Sequence, residues 1–572
     1  MKLFSFITLL IAYLLTISVV TSEEVTLTAG PVTCDYKNKD TSDDYSSPNA
    51  TIKCSDSTCT VSGSGATASD GLLNINAAGT YVIQGSLNGQ VKIEVTKEDF
   101  VHLVLNGVII TSNDGPAIYG VTADKITMTL VGDNTLTDSS NYTNLVDEEP
   151  DACLFTDSDL SINGTGSLSV TGKYGDAIRC KKDLKIVSGN IRVPSAVQRG
   201  IKAKNSICIK DGTIDINSTN TAIKVTKDDD AGKGYIVIDG GNVAISTEKD
   251  GIHAETHLTI RGGYVDVKKC AEGIEGQMID IIGGEVHVLA SDDGINASKI
   301  STTDTNNTTS NMKRNPEGKP GGNSGGNPGG NPGGNPGDNQ QSTGTDGSVY
   351  INIVGGKTYV TVSGNDADGI DSNGVLYIGG NAEVYTSIEE GDVYGNMAAL
   401  DAEGTNAIVE GATVIVTASN SGGGGKMGGR NKRQGPQGDH GNMGGMNGMG
   451  GMGETGSIYQ PYIQISVNSQ TVNTKIEVKD SSNNVIGTFT PDVSYSTVLF
   501  TSPSMKAGES YTVVTGNDSV VVSATEAATG SVNAPSVTSP DQVLESSSFG
   551  IRTQPKIISF FITIFILCLI LV

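Results

Sequence analysis

Asp239–Ile245 reads DGGNVAI, and four relatives of it follow: RGGYVDV at Arg261–Val267, IGGEVHV at Ile282–Val288, VGGKTYV at Val354–Val360 and IGGNAEV at Ile378–Val384. Adjacent copies lie 22, 21 and 24 residues apart, with one longer interval between Gly283 and Gly355. A period of that length is one coil of a stacked β-solenoid, in which no unit buries its apolar face alone and each rests on its neighbours. The glycines permit a tight turn or a close chain approach, and the residues after them alternate inward and outward as a short strand.

A second unit follows each of these strands at a fixed distance: DGIHA from Asp250, EGIEG from Glu272, DGINA from Asp293 and DGIDS from Asp368. Each coil thus carries an inward Ile and an acid just before a glycine, and stacking lines the acids along one flank. Degraded copies begin earlier, with GDAIRC around Asp176 and RGIKA at Arg199, and the pattern ends with DAEGTNAIVEGATVIV from Asp401. The expected fold is all-β: a parallel β-helix with a small antiparallel β-domain at its C-terminal end.

The rest of the chain is read outward from this core. Residues 1–22, with one Lys and then an apolar run, read as a secretory signal peptide. Residues 23–60 read as an irregular N-terminal segment and 61–420 as the solenoid. Two glycine-rich tracts, 301–347 inside the solenoid and 421–456 after it, read as disordered, because such composition buries too little apolar area to offset its ordering entropy. Longer alternating strands over 457–522 give the antiparallel domain, which would hide the open end of the last coil. A Ser-, Ala- and Pro-rich stalk follows at 523–548. Residues 549–572, a spacer and a terminal apolar run behind three serines, read as a glycosylphosphatidylinositol-anchor signal, so the expected location is the outer face of the plasma membrane or the cell wall. A tail-anchored or single-pass protein is the alternative.

The chain has 572 residues, 74 of them Gly, no Trp, and a formal charge of -25. A nucleic-acid partner is excluded, since phosphate recognition needs clustered Lys and Arg. Of eight cysteines, Cys54 and Cys59 are spaced to close a small loop, and Cys180 and Cys208 to bridge neighbouring coils, in an oxidising compartment. Sequons at Asn49, Asn141, Asn163, Asn217, Asn296, Asn306, Asn307 and Asn517 would have to face solvent to carry glycan.

The candidate site is acidic. Asp292, Asp293, Asp366, Asp368 and Asp371 supply hard oxygen ligands, and adjoining coils add Asp250, Glu272 and Glu275. Calcium suits such a surface because it takes six to eight oxygens in flexible geometry, and without a cation stacked carboxylates repel. An ordinary solvated turn surface is the alternative for any single acid. Catalytic signals are weaker. His253, His257 and His287 fall in coils without HExxH spacing, and a lyase base could be sought only at Lys268 or Lys269, with Arg179 and Arg199 as charge partners.

GTYVIQGSLNGQVKIEV, VHLVLNGVIITSNDGPAIY, YGDAIRCKKDLKIVSGNIRV, the DGI units and SPSMKAGESYTVV together resemble the secreted carbohydrate-binding domain family first associated with cellulosome-bearing bacteria. The resemblance runs over about residues 61–516, apart from the two glycine-rich tracts. It implies a right-handed parallel β-helix with bound calcium, similar to certain pectate lyases, and binding of cellulose or acidic pectic polymers. Carried over by motif, the calcium ligands are Asp250, Glu272, Asp292, Asp293, Asp366, Asp368 and Asp371. No lyase base matches a motif, so the expected function is non-catalytic, calcium-dependent binding of plant cell-wall polysaccharide (cellulose or polygalacturonate). A pectate lyase and a structural adhesion protein are the alternatives. Tyr264, Tyr359 and Tyr377 are candidates to stack on sugar rings if they point outward.

Overall fold

The computed structural model describes residues 30–143, 145–299, 348–364, 367–395, 398–419, 457–532 and 534. The segments read as leader and anchor signal, both glycine-rich tracts, Asp366 and most of the segment read as a stalk lie outside the described residues. The chain folds as the repeat dictates. In one coil, His257–Ile260 lies on face one, a Gly262-Gly263 turn leads to Tyr264–Cys270 on face two, and Ile274–Gly276 forms face three. Each pairs in parallel with its counterpart one coil on, at Met278–Ile281, Glu285–Ala290 and Ile295–Ala297. Faces one and two belong to one sheet because the long strands Gly79–Asn88 and Phe100–Thr111 run through both, whereas face three is a separate sheet.

Parallel stacking turns each phase of the repeat into a column. The Ile of every DGI unit is fully buried in one such column, Ile178, Ile201, Ile223, Ile252, Ile274, Ile295 and Ile370, which Leu400 ends. The second glycine of each pair must be glycine for two reasons. Gly241, Gly263, Gly284 and Gly356 have φ between +73° and +84°, and a Cβ on Gly263 would lie 2.5 Å from the Gly241 carbonyl oxygen of the coil before.

The two open ends are closed differently. At the N-terminal end Ala50–Ser55 and Thr58–Gly63 form an antiparallel hairpin, tied by a Cys54–Cys59 disulfide, whose first strand lies on Gly79–Asn88. At the C-terminal end Tyr495–Thr501 pairs antiparallel with both Thr413–Ala418, the last strand of face two, and Tyr462–Gln470. A four-stranded antiparallel sheet, Val485–Phe489, Ile476–Lys479, Ser510–Thr515 and Asp518–Ser523, packs there around Ile463, Tyr495, Phe500, Tyr511 and Val513.

Residues 30–42 form a strap across the outside of face one, running against the direction of stacking. The Gly30 amide donates to Tyr350 Oη (2.9 Å), the Val32 amide to Thr259 Oγ1 (3.0 Å), and Tyr36 Oη to Asp239 (2.8 Å). Cys34 is bonded to Cys208. The Cys180–Cys208 bridge is thereby overturned. Cys208 points outward on face one, while Cys180 is buried and unbridged on face three, so the two occupy different sides of the coil. The helical turn Asn38–Thr41 ends the strap and buries Asp40 among Lys125, Lys185 (3.1 Å) and Ser161 (2.7 Å). Burial alone would raise this carboxyl; the Lys125 and Ser161 contacts and the Lys37 amide overcome it and hold it down at about 2.

Asn163 Nδ2 donates to the carbonyls of Asp40 and Ser42, and the side chain is buried, so its sequon is closed to glycan in the folded chain. Asn49, Asn141, Asn217 and Asn517 are exposed. Over the far part of face one, Val532 and Ala534 pack on Met278, Tyr350, Val354, Val375 and Tyr377. The chain's own two end segments therefore cover this face.

Asp40→Ala leaves two lysines beside a vacated buried position and detaches the strap's end. The expected loss is about 3 kcal/mol in chemical denaturation. Because the carboxyl is depressed, its contribution is present above about pH 4 and fades as pH falls toward 2. An unchanged midpoint at pH 7 would contradict the assigned role of the strap.

Candidate functional site

Face three is built from short strands in which one outward residue lies between two inward ones, as in Ile201–Ala203, Ile223–Val225 and Ile295–Ala297. The outward residue follows the buried Ile by one place, so its column can be read directly from the pairing: Lys92, Tyr119, Phe155, Arg179, Lys202, Lys224, His253, Glu275, Asn296, Asp371 and Asp401. Charge is sorted along it, basic from Arg179 to Lys224 and acidic from Glu275 to Asp401. A second column, formed by the residue two places before the buried Ile, runs beside it and carries Asp176, Asp250, Glu272, Asp293 and Asp368.

The two columns bring the acids together in two groups. In the first, Asp250, His253 and Glu275 each offer a ligand atom within 4.8 Å of the others. His253 Nδ1 bonds Glu275, with Asp250 Oδ2 at 3.7 Å, and its Nε2 faces Glu255 at 3.6 Å. Burial alone would lower this imidazole, but Asp250, Glu255 and Glu275 push it up to about 11. Glu272 shares a hydrogen bond with Glu275, and with burial and the charges of Asp250 and Asp292 it is pushed up to about 9. An imidazolium and a shared proton thus neutralise much of this group from within.

The second group is purely carboxylate. Asp368, Asp371 and Asp401 converge within 4.8 Å. Burial, then Asp368, Asp401, Asp293 and Glu403, raise Asp371 to about 8. Beside it in the column, Asn296 Oδ1 is buried with no hydrogen-bond partner among the described residues. A buried amide oxygen next to crowded carboxylates is the donor set of a hard cation. The residues present could therefore hold a metal ion, and they fit one better here than in the first group.

Of the residues expected from the sequence, Asp250 falls in the first group and Glu272 adjoins it. Asp368 and Asp371 fall in the second. Asp293 is half-buried and accepts the Asp368 amide (2.9 Å), whereas Asp292 is exposed. The sequence reading leaves Asn296 and Asp401 out of the candidate ligands and gives His253 no part in the acidic set. Their signal is phase, one place after the inward aliphatic residue, and Asp401 escapes because Ala399-Leu400 replaces Gly-Ile there.

The lyase residues are not assembled. Lys268 and Lys269 are exposed on face two, and Lys269 bonds Glu248. Arg179 and Arg199 pair with acids on face three. The sugar-stacking reading of the tyrosines also changes. Tyr359 is sandwiched between His287 (4.5 Å) and Tyr385 (4.7 Å), so both ring faces are occupied. Tyr377 is buried under the C-terminal segment, and only Tyr264 stays exposed. This ring ladder continues to Phe489 and fastens the antiparallel sheet to face two.

Asp371, Glu272 and His253 are all raised above their unfolded values. Each therefore contributes stability that is complete below its unfolded value, near 4 for the acids and 6.5 for the imidazole, and that is lost as pH rises toward the folded one. In chelator, the melting temperature is expected to fall between pH 5 and pH 8. Asp371→Asn should flatten that slope and melt no lower than the parent at pH 8. An undiminished slope in the variant would show that the carboxylate group is not its source.

The comparisons with known proteins can now be set beside this geometry. Residues 69–318 match the model of a family described as carbohydrate-binding domain-containing protein. A curated protein of that description from Acetivibrio thermocellus is 36% identical over 134 residues, which is 23% of this chain and 47% of the relative. The chain thus spans about half the length of that relative. A solved chain described as the polysaccharide lyase-like protein from C. thermocellum, in a gadolinium derivative, is 30% identical; the match covers 41% of this chain and 96% of that one, with a TM-score of 0.37. Residues 69–318 thus match a carbohydrate-binding family, in keeping with the resemblance drawn from the sequence motifs.

Proposed function

We propose that the chain is a non-catalytic binder of an extended acidic cell-wall polysaccharide such as polygalacturonate. The polymer lies along face three and is held there through calcium. One observation carries the reading: Asp368, Asp371 and Asp401 converge beside the buried oxygen of Asn296, which has no hydrogen-bond partner among the described residues. The net charge of -25 disfavours a polyanion over most of the surface, and at a carboxylate group calcium can bridge protein and uronate because it accepts many oxygens in loose geometry. The family match over residues 69–318 supports a carbohydrate as the ligand class. Coils about 4.8 Å apart let a linear polymer lying along the column meet successive outward side chains in turn. In this reading the solenoid works outside the cell, held at its surface by the apolar C-terminal segment.

Retention of the purified protein on immobilised polygalacturonate tests this. Calcium should retain it and chelator should weaken retention at least tenfold. Asp371→Asn combined with Asp401→Asn should remove the calcium dependence without lowering the melting temperature in chelator. Retention indifferent to both calcium and these substitutions, or release of unsaturated products from the polymer, would overturn the proposal.

A further inference from the structure

The basic stretch of the face-three column is unexpected in so acidic a chain, and it coincides with a cleft of about 250 Å³ lined by Glu149, Arg179, Lys181, Lys202, Lys204 and Thr226. Glu149 comes from the side loop between Thr137 and Ala152, and its two oxygens are held separately, one by Arg179 Nη2 and the other by Lys181 Nζ (2.6 Å). The cleft is thus already shaped around one carboxylate, bound by a guanidinium and an ammonium in charge-assisted bonds.

The neighbouring cations have not spent their donors. Lys202 is half-buried, and its ammonium lies 3.6 Å from Asp176 and 4.0 Å from Asp151, beyond hydrogen-bond reach. Among the described residues neither its Nζ nor that of Lys204 donates a hydrogen bond. Beneath them Asp176 is buried, and its Oδ2 accepts no hydrogen bond among the described residues. A half-buried ammonium with three unused donors, opening on a cleft beside a bound carboxylate, is a site for a second carboxylate.

We propose that this cleft binds a uronate carboxylate of the polysaccharide directly, without a metal ion, through Lys202 and Lys204 beside the Glu149–Arg179–Lys181 cluster. The inference rests on the acidic-polymer reading above and adds a second kind of subsite to it. One end of face three takes polymer carboxylates on ammonium groups, and the other takes them through calcium. The direct subsite requires charge on the sugar, so it discriminates polygalacturonate from its methyl-esterified form and from cellulose.

The test is binding of the purified protein to polygalacturonate in chelator at low ionic strength, where cation bridging is absent. The expected result is residual binding that weakens with added salt, is missing on fully methyl-esterified polymer, and falls about tenfold in Lys202→Ala/Lys204→Ala. Lys202→Arg, which keeps the charge, should retain it, and circular dichroism establishes that each variant is folded. Calcium-dependent retention at the acidic end should survive in the double variant. Binding in chelator that is absent from the parent, or equal in parent and double variant, overturns the cleft assignment and leaves the calcium reading standing. Absence of binding by the parent in both chelator and calcium overturns both.

Discussion

Every coil lays its backbone on the next at parallel-sheet distance, and this contact constrains everything else in the molecule. Because backbone groups must pair with the adjacent coil, a residue at one phase of the repeat is held against residues of the same phase above and below it. Only glycine fits where Gly263 meets the Gly241 carbonyl, so the turn column is glycine. Only an aliphatic side chain fills the interior of face three, so that column is Ile. The same rule acts on the outward phase, where it concentrates like charges unless the sequence alternates them. The run from Glu275 to Asp401 does not alternate, and burial together with that crowding raises the Asp371 carboxyl.

The three faces are put to different uses. Face one is occupied by the strap at residues 30–42 and by Val532 and Ala534, with Asp40 and the Cys34–Cys208 bond as fixings. Face two carries the ladder of Tyr264, His287, Tyr359 and Tyr385, whose rings stack on one another and lead under Phe489. Its rings are spent on holding the C-terminal sheet. Face three keeps its outward column half-buried and chemically varied, from guanidinium through imidazole to carboxylate. A linear polymer that binds the solenoid lengthwise meets the greatest density of polar donors and acceptors there.

Much of this was legible in the chain. The glycine pairs and DGI units reveal coil length, inward Ile and the flank on which acids collect, because each depends on local spacing. What the spacing hides is phase across the strand. His253 and Asp401 belong to the acidic groups through a position that DGI does not mark, and Asn296 enters through an amide oxygen rather than a charge. Contacts made by the N-terminal strap were invisible for a different reason: Cys34 meets Cys208 across 174 residues, and no periodicity announces a segment that crosses the coils instead of joining them. The tyrosines show the same limit, since outward direction alone does not tell whether a neighbouring ring already covers the face.

The central claim, that the ligand lies on face three, is tested most directly by hydroxyl-radical footprinting of side chains with and without polygalacturonate in calcium. Tyr119 and His253 stand in the face-three column, and Tyr264 and His287 stand on face two, so the two faces report separately. The account predicts protection of His253 and Tyr119 with Tyr264 and His287 unchanged. Protection of Tyr264 and His287 while His253 stays reactive would contradict it.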